Sequence, residues 1–596
     1  MRIAFKFHYI HDNGLFSRLL ERVKEKSSLE LTLYQEKFDH VIEASGDQSE
    51  LESLAELVSS LIPQSLFLSE HSIEEVKEPY ASHGLKKDES EFNVPYCPEC
   101  QEKIIETLDP FEPCSVCGYS EKKLSIEEFK SFASTDAQAA KMLFEDLAEK
   151  LINEQKLTLM TYKGIRNFSL LGTQESAESG ILICDPSEIS SFFVITQDEL
   201  NTLIMVEKPS MKLKPKLKFR AENDLSKPLY PIFLADDKVT LALSLALSKK
   251  GVFAVYCDQT PSLQTASALQ QHVIINTGGD MLPWRYPLDL GKAASCTFDG
   301  YTAYGDENGL LLDTRFEPSA SCVQFTSKEE SSSVKNGLSF EPSHAALRSI
   351  VLEHDLVGKS LCGIYLSRRN DSQICSFSSK IGYTALANFS YEVPSEPILM
   401  LESIAQMDEE GTRLVANYKR EYPKLFECIE QASFDSDNKA SMLTRLWAMA
   451  ALFIGLSEGG DIQTASEQLE STALEFNGKS GPRIDYKVMK DESGYIVDPR
   501  LAIRSAMSFK LAGVDEYLLS FGFIDSLADF IAQQAEMADA NIAIEGVTLS
   551  GSLFENRQLL MRTYNALSPN YKIYRNERLA LDGANIAVGA ITLGSE

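Results

Sequence analysis

Apolar and polar positions alternate over residues 3–9 and then recur at helical spacing over 14–26, the pattern of a half-buried strand followed by an amphipathic helix. Short apolar runs at 29–33 and 41–44 predict two more strands, and the spacing over 51–61 predicts a second helix. The resulting βαββα order is consistent with a ferredoxin-like module over residues 1–82. Residues 82–95 are polar and charged and read as a linker. Helical spacing returns at 125–132 and 137–155 and is followed by strands at 157–162 and 180–184. The Lys-rich stretch KPSMKLKPKLKF at 208–219 closes this segment, either as a phosphate grip or as a solvated edge strand, and the edge strand is the preferred reading. From residue 231 onward β-rich segments alternate with long helices, ending in a strand over 543–550, a helix near 555–567 and YKIYRNERLALDGANIAVGAI. This is α/β organisation large enough for two lobes, without a repeat of solenoid period.

Length and charge narrow the class. At 596 residues the chain exceeds one core, and about three to five domains are expected. The net charge is −30 and no stretch gathers Lys and Arg densely, which argues against nucleic acid or an anionic membrane as partner. The apolar positions near the N-terminus are interrupted by charges, unlike a signal-peptide core. The longest apolar run, 446–456, is too short to span a bilayer. No membrane insertion and a cytoplasmic location are the expectations.

Of 11 cysteines, seven (Cys184, Cys257, Cys296, Cys322, Cys362, Cys375 and Cys428) stand alone in mostly apolar surroundings, as buried small hydrophobes do. The other four form YCPECQEKIIETLDPFEPCSVCGY, a C-x2-C-x13-C-x2-C array of Cys97, Cys100, Cys114 and Cys117. Two such knuckles turn four sulfurs toward one point, the donor set of tetrahedral Zn²⁺. Four thiolates leave the metal no open position, so such a site is structural and folds a short segment lacking its own core. Two redox dithiols are the alternative; Pro98, Pro113 and Gly118 suit tight ribbon turns better than a dithiol that opens a helix.

Four stretches in chain order carry a resemblance: the two-knuckle ribbon, YKGIRNFSL at 162–170, TRLWAMAALFIGL at 444–456, and VTLSGSLFEN at 547–556 with LDGANIAVGA at 581–590. Together they resemble the HypF carbamoyltransferases of NiFe-hydrogenase maturation. The resemblance implies a multidomain α/β and α+β chain: an acylphosphatase-like module (1–82), a zinc ribbon (90–122), the remnant of a YrdC-like domain (123–228) and a Kae1-like two-lobed kinase-fold domain (229–596). It implies structural zinc, ATP as nucleotide, and a hydrogenase subunit or maturation protein as partner. The implied reaction cleaves carbamoyl phosphate, adenylates the carbamate with ATP, and passes the carbamoyl group to a partner cysteine.

Against that pattern the chain departs where chemistry would need it. Ser17 takes the place of the catalytic Arg, leaving Arg18 one residue further on, as the catalytic candidate or a surface or salt-bridge residue; a one-residue shift turns a side chain by about 100° on a helix. No partner Asn follows the next strand, and no second cysteine set follows Tyr119. Lys163 fits a nucleotide-binding role, but Arg166 and Asn167 replace two glycines that would admit a ligand to the backbone. Around His344, Pro342 and Ala346 stand where two ligating imidazoles should be, and Ser367 stands where a metal-binding Asp should be. Thr444 and Ala448 replace a Gly and an Asp expected at the nucleotide. Ser550, Gly551, Asn556 and Asp582 remain as cofactor-binding candidates, with Ser552 in place of a second glycine. FDGYTAYGDENG at 298–309 reads as a hairpin turning at 306–309. These losses work against ATP binding. Three readings stay open: a degenerate HypF descendant acting as adaptor or scaffold, an active carbamoyltransferase, and a nucleotide-binding protein of unrelated role.

Overall fold

The computed structural model describes all residues except 12–13, 79–83, 86–93, 118–123, 134–138, 174–178, 277–283, 313–322, 328–337, 436–438, 492–493 and 594–596. It divides into two compact units, one of residues 1–226 and 230–265, the other of 227–229 and 266–596. Of the linker expected at 82–95, residues 82–83 and 86–93 lie outside the described residues.

The first unit opens with β1 (Arg2–Tyr9), α1 (Leu15–Lys26), β2 (Leu31–Glu36), β3 (Asp39–Ser45), α2 (Gln48–Leu61) and β4 (Leu68–Glu75). They form an antiparallel sheet in the order β2-β3-β1-β4. The fourth strand escapes the hydrophobic pattern because LSEHSIEE is exposed along nearly its whole length. Asp47 and Glu50 close a reciprocal capping box on α2, which answers two of its orphan N–H groups. On α1, Phe16, Leu20 and Val23 are buried, and Phe16 stacks on Tyr9 with ring centroids 4.8 Å apart.

Next comes α3 (Pro98–Thr107), and then a seven-stranded sheet. Its order runs from Lys156–Thr161 and Gly164–Leu170 through Ala254–Cys257, Gly180–Ile183 and Tyr230–Phe233 to Met211–Pro215 and Phe193–Val194. The sheet therefore continues past the division expected at 228/229 and takes in two strands beyond it. The Lys-rich stretch is not an edge. Met211–Pro215 pairs on both sides, and Lys208 and Lys214 are buried. Alternating Lys suggests an edge strand only when one side of the strand is left unpaired; here both sides are paired.

The two larger sheets of the second unit share one plan. In each, five strands share an order in which the first of the five lies centrally, the second and third are antiparallel on one side and the fourth and fifth parallel on the other; Trp284–Tyr286 extends one sheet, and Val488–Asp491 with Gly494–Val497 the other. One runs Ala294–Phe298, Tyr301–Asp306, Gly309–Leu312, Val323–Ser327 and Leu338–Phe340. The other runs Leu361–Tyr365, Ser372–Ser378, Gly382–Phe389, Gly546–Ser550 and Ile573–Arg575. The hairpin expected over 298–309 is present, with its turn between Asp306 and Gly309.

Two helices are exchanged between these sheets. Pro342–Glu353 follows the first sheet and packs on the second, while Ala584–Leu593, the last described helix, packs on the first; the helices also pack on each other. Their approach is close enough that a Cβ on Gly589 would collide with the Ala345 carbonyl. The helix Met442–Ile454, the core of TRLWAMAALFIGL, is buried on every face, as an all-round apolar helix requires. Among the described residues no helix is long and apolar enough to cross a membrane. Gly589→Ala is expected to destabilise the second unit by about 1–3 kcal/mol through overpacking, measured as a lowered urea midpoint by circular dichroism.

Candidate functional site

The four-thiol site forms where two chain reversals meet. Cys97 is the N-cap of α3 with Pro98 at the first helical position, where a missing N–H costs nothing. The first knuckle thus opens a helix, correcting the expectation that Pro98 favours a ribbon turn over a helix start. Cys114 and Cys117 flank a turn; Gly118 lies outside the described residues. The Cys97–Cys114 and Cys100–Cys117 sulfurs are 3.7 and 3.6 Å apart, and all four lie within 4.8 Å of one another. A tetrahedron with Zn–S of about 2.3 Å has edges of about 3.8 Å, so the sulfurs fit one zinc. Hydrogen bonds among the sulfurs push Cys114 and Cys117 down and Cys97 and Cys100 up. Of the lone cysteines, Cys184, Cys257, Cys296, Cys362 and Cys375 are buried and Cys428 half-buried; Cys322 lies outside the described residues.

The one-residue shift at the start of α1 has a geometric outcome. Ser17 faces its own module, with its hydroxyl 3.3 Å from Gln35 Oε1 and 3.5 Å from His40 Nε2. Arg18 faces the other way, and its Nη1 donates to the Ser115 carbonyl at 3.1 Å, inside the second cysteine knuckle.

In the seven-stranded sheet, Lys163 sits in the turn between Lys156–Thr161 and Gly164–Leu170, its backbone N–H donating to Thr161 Oγ1 at 3.1 Å. Arg166, two residues into the next strand, is buried. Its Nη2 donates to Asp236 Oδ2 at 2.8 Å, and its Nη1 lies 3.5 Å from Asp237 Oδ2. Asn167 is held by the Asp258 carboxylate at 2.9 and 2.6 Å. The aspartate partners were not singled out in the sequence, although the adjacent pair in LADDK after an apolar run is a visible signal. Lys208 is enclosed, donating to the Ile204 carbonyl at 2.6 Å and lying over the Tyr96 ring. Burial pushes its ammonium down to about 8.

The second unit brings Asp582, Ser550, Gly551 and Asn556 around one loop, residues 366–372. Asp582 Oδ1 accepts from Tyr365 Oη at 2.8 Å. Its Oδ2 accepts from Ser367 Oγ at 2.6 Å, Ser552 Oγ at 2.7 Å and the Ser552 amide at 3.0 Å. Burial pushes this carboxyl up, and the same donors pull it back. Ser367 Oγ in turn accepts from the amides of Arg369 and Asn370. Gly551 adopts φ +102° against the Leu366 backbone, where any Cβ would collide. Its amide donates to the Leu581 carbonyl at 2.7 Å. Ser550 Oγ is buried without a partner. His344 lies flat on Tyr383, ring centroids 4.1 Å apart.

Beside this hub lies a buried ionic cluster that the sequence did not announce. Arg368 makes a bidentate pair with Glu470 at 2.7 and 2.8 Å and pairs through Nε with Glu555. Asn556 caps the following helix and donates to Glu470 Oε2 at 2.7 Å. Thr444 Oγ1 and the Ser441 amide both donate to the Arg368 carbonyl, so the Thr that replaces an expected Gly anchors this loop. Finally Asn370 Nδ2 donates to Asp299 Oδ2 at 3.2 Å. This joins the first loop of one sheet to the first turn of the other.

The family described as carbamoyltransferase, Kae1-like domain, second subdomain, matches residues 396–590. Protein HydE of Wolinella succinogenes is 27% identical over 552 residues, 91% of each chain. Full-length HypF in a phosphate- and nucleotide-bound form superposes over 100% of this chain and 98% of its own, with TM-score 0.64 and 14% identity. HypF of T. kodakarensis does so over the same shares, with TM-score 0.66 and 12% identity. The chain shares the multidomain fold of HypF, and its residues 396–590 match the Kae1-like carbamoyltransferase subdomain.

Two outcomes follow from this geometry. The wild-type protein is expected to carry one zinc per chain by plasma mass spectrometry and Cys97→Ser to lose it, because a hydroxyl is a poor fourth ligand beside three thiolates. Glu470→Ala leaves Arg368 buried with one carboxylate and is expected to cost about 3–5 kcal/mol, read as a lowered urea midpoint by tryptophan fluorescence.

Proposed function

We propose that this HypF-like protein serves NiFe-hydrogenase maturation in the cytoplasm as an adaptor that keeps the architecture of a carbamoyltransferase without its chemistry. The observation that carries this reading is the saturation of Asp582. Three neutral hydroxyls and one amide occupy its carboxylate. A catalytic cation would need those lone pairs and several further oxygen or nitrogen ligands. Ser367, where the resemblance implies a second carboxylate, is instead a donor to the first. The resemblance implies imidazoles at Pro342 and Ala346, and neither residue can ligate a metal. Arg166 adds to the case: its guanidinium, committed to two aspartates, stands where a glycine would let a nucleotide approach.

The partner in this reading is a hydrogenase subunit or a maturation protein, and the acidic chain would meet it through charge-complementary contacts whose on-rate falls with salt. Purified zinc-containing protein, given ATP with and without carbamoyl phosphate, is expected to release no carbamoyl-phosphate-dependent AMP while co-purifying at low salt with a maturation protein or hydrogenase subunit. Carbamoyl-phosphate-dependent AMP that disappears in Asp582→Asn would overturn the reading in favour of an active transferase. Failure to co-purify with either class of partner would remove the adaptor role.

A further inference from the structure

The helix α1 has two working faces. Phe16, Leu20 and Val23 are buried, and Phe16 packs on Phe7 and Tyr9 of its own sheet. Leu15 and Leu19 belong instead to the core that contains Val94, Tyr96, Cys97 and Cys100. Along the same outer side, Arg18, Arg22 and Lys26 recur at four-residue spacing, which stacks them on one helical face. Each engages a residue inside a cysteine knuckle. Arg18 donates to the Ser115 carbonyl, between Cys114 and Cys117. Arg22 donates from Nε to both carboxylate oxygens of Glu99, between Cys97 and Cys100, at 3.0 and 3.2 Å. Lys26 pairs with the same carboxylate. Two more ammonium groups border the cysteines: Lys103, paired with Glu112, and Lys238, which donates to the Glu112 carbonyl.

Charge gives this arrangement a direction. One Zn²⁺ held by four thiolates carries a formal charge of −2. A cationic stripe therefore gains Coulomb energy when the site is loaded. The knuckle loops gain more: without metal they lack the bonds that fix their shape, and both the Glu99 carboxylate and the Ser115 carbonyl lose the positions that the stripe addresses.

We propose that α1 is a clasp that reads the metal state of the ribbon. With zinc bound, Arg18, Arg22 and Lys26 dock the first module on the two knuckles; with zinc removed, the knuckles disorder and the module undocks. The inference rests on the four cysteines holding zinc, and not on the adaptor reading. Linkage makes it quantitative, because whatever factor zinc contributes to docking, docking must contribute to zinc affinity. Three part-exposed charged contacts, each worth about twofold, set that factor near tenfold.

The test uses the full-length protein. Hydrogen exchange of peptides covering 15–26 is compared before and after zinc removal by a chelator, with peptides covering 516–542 as an internal control. Zinc affinity is measured by competition with a chromophoric chelator for the wild type and for Arg18→Ala/Arg22→Ala/Lys26→Ala. A charge swap, Arg22→Glu with Glu99→Arg, tests rescue. The expected result is faster exchange over 15–26 on zinc removal, unchanged exchange in the control, about tenfold weaker zinc binding in the triple variant, and partial recovery in the swap relative to Arg22→Glu alone. Unchanged exchange over 15–26 while the ribbon peptides exchange freely would overturn the clasp in the wild-type protein itself. Unchanged zinc affinity in the triple variant would also overturn it. A wild-type protein that binds no zinc would overturn it at its premise and leave the adaptor reading untouched.

Discussion

A carboxylate enclosed by protein must be answered by hydrogen bonds or by a cation, and at Asp582 the chain answers it with its own hydroxyls. The consequences reach well beyond one side chain. Tyr365 ends one central strand and Ser367 follows it in the loop, and Ser552 follows the end of the strand beside it. Satisfying Asp582 therefore fixes how two strand ends and the chain before the last helix converge. The Gly551 backbone can then lie against Leu366, and Asn370 can reach Asp299 on the turn of the other sheet. A hydroxyl serves here where a carboxylate would fail: Ser367 can donate to Asp582, whereas an Asp in its place would need a cation between the two.

The same solution recurs in both units. Arg166 is neutralised by Asp236 and Asp237 in one, and Arg368 by Glu470 and Glu555 in the other. Buried ion pairs of this kind add little stability over apolar packing, but losing one partner is costly. Such clusters therefore hold a loop in a single arrangement without being the main source of folding energy. The apolar bulk comes from elsewhere, above all from the encased helix Met442–Ile454 and the long helix Glu516–Ile542.

Much of the fold could be read from periodicity because most strands and helices have one apolar face. The elements that escaped are those whose environment contradicts their pattern. LSEHSIEE is a strand held by backbone pairing to β1 while its side chains stay wet. The strand Met211–Pro215 looks like an edge by its lysines, yet both neighbours pair with it. Residues 164–170 carried a ligand signature that drew attention to loop chemistry, while their backbone pairs as a strand with two partners. The cysteine array was legible because four soft donors at fixed spacing admit few arrangements. Arg368, Glu470 and Glu555 were not, since charged residues far apart in sequence carry no mark of burial until the fold brings them together.

The helix α1 shows why one position of offset matters more than composition. Moving an arginine from 17 to 18 changes neither charge nor helix propensity, yet it exchanges an inward side chain for one that meets the ribbon. Ser17, small and able to donate, fits the interior against Gln35 and His40. Arg18, too large and too polar for that place, finds a carbonyl held between two cysteines. A group that the resemblance would assign to phosphate is thereby committed to a backbone oxygen, and its geometry depends on a neighbouring knuckle whose own shape four sulfurs determine.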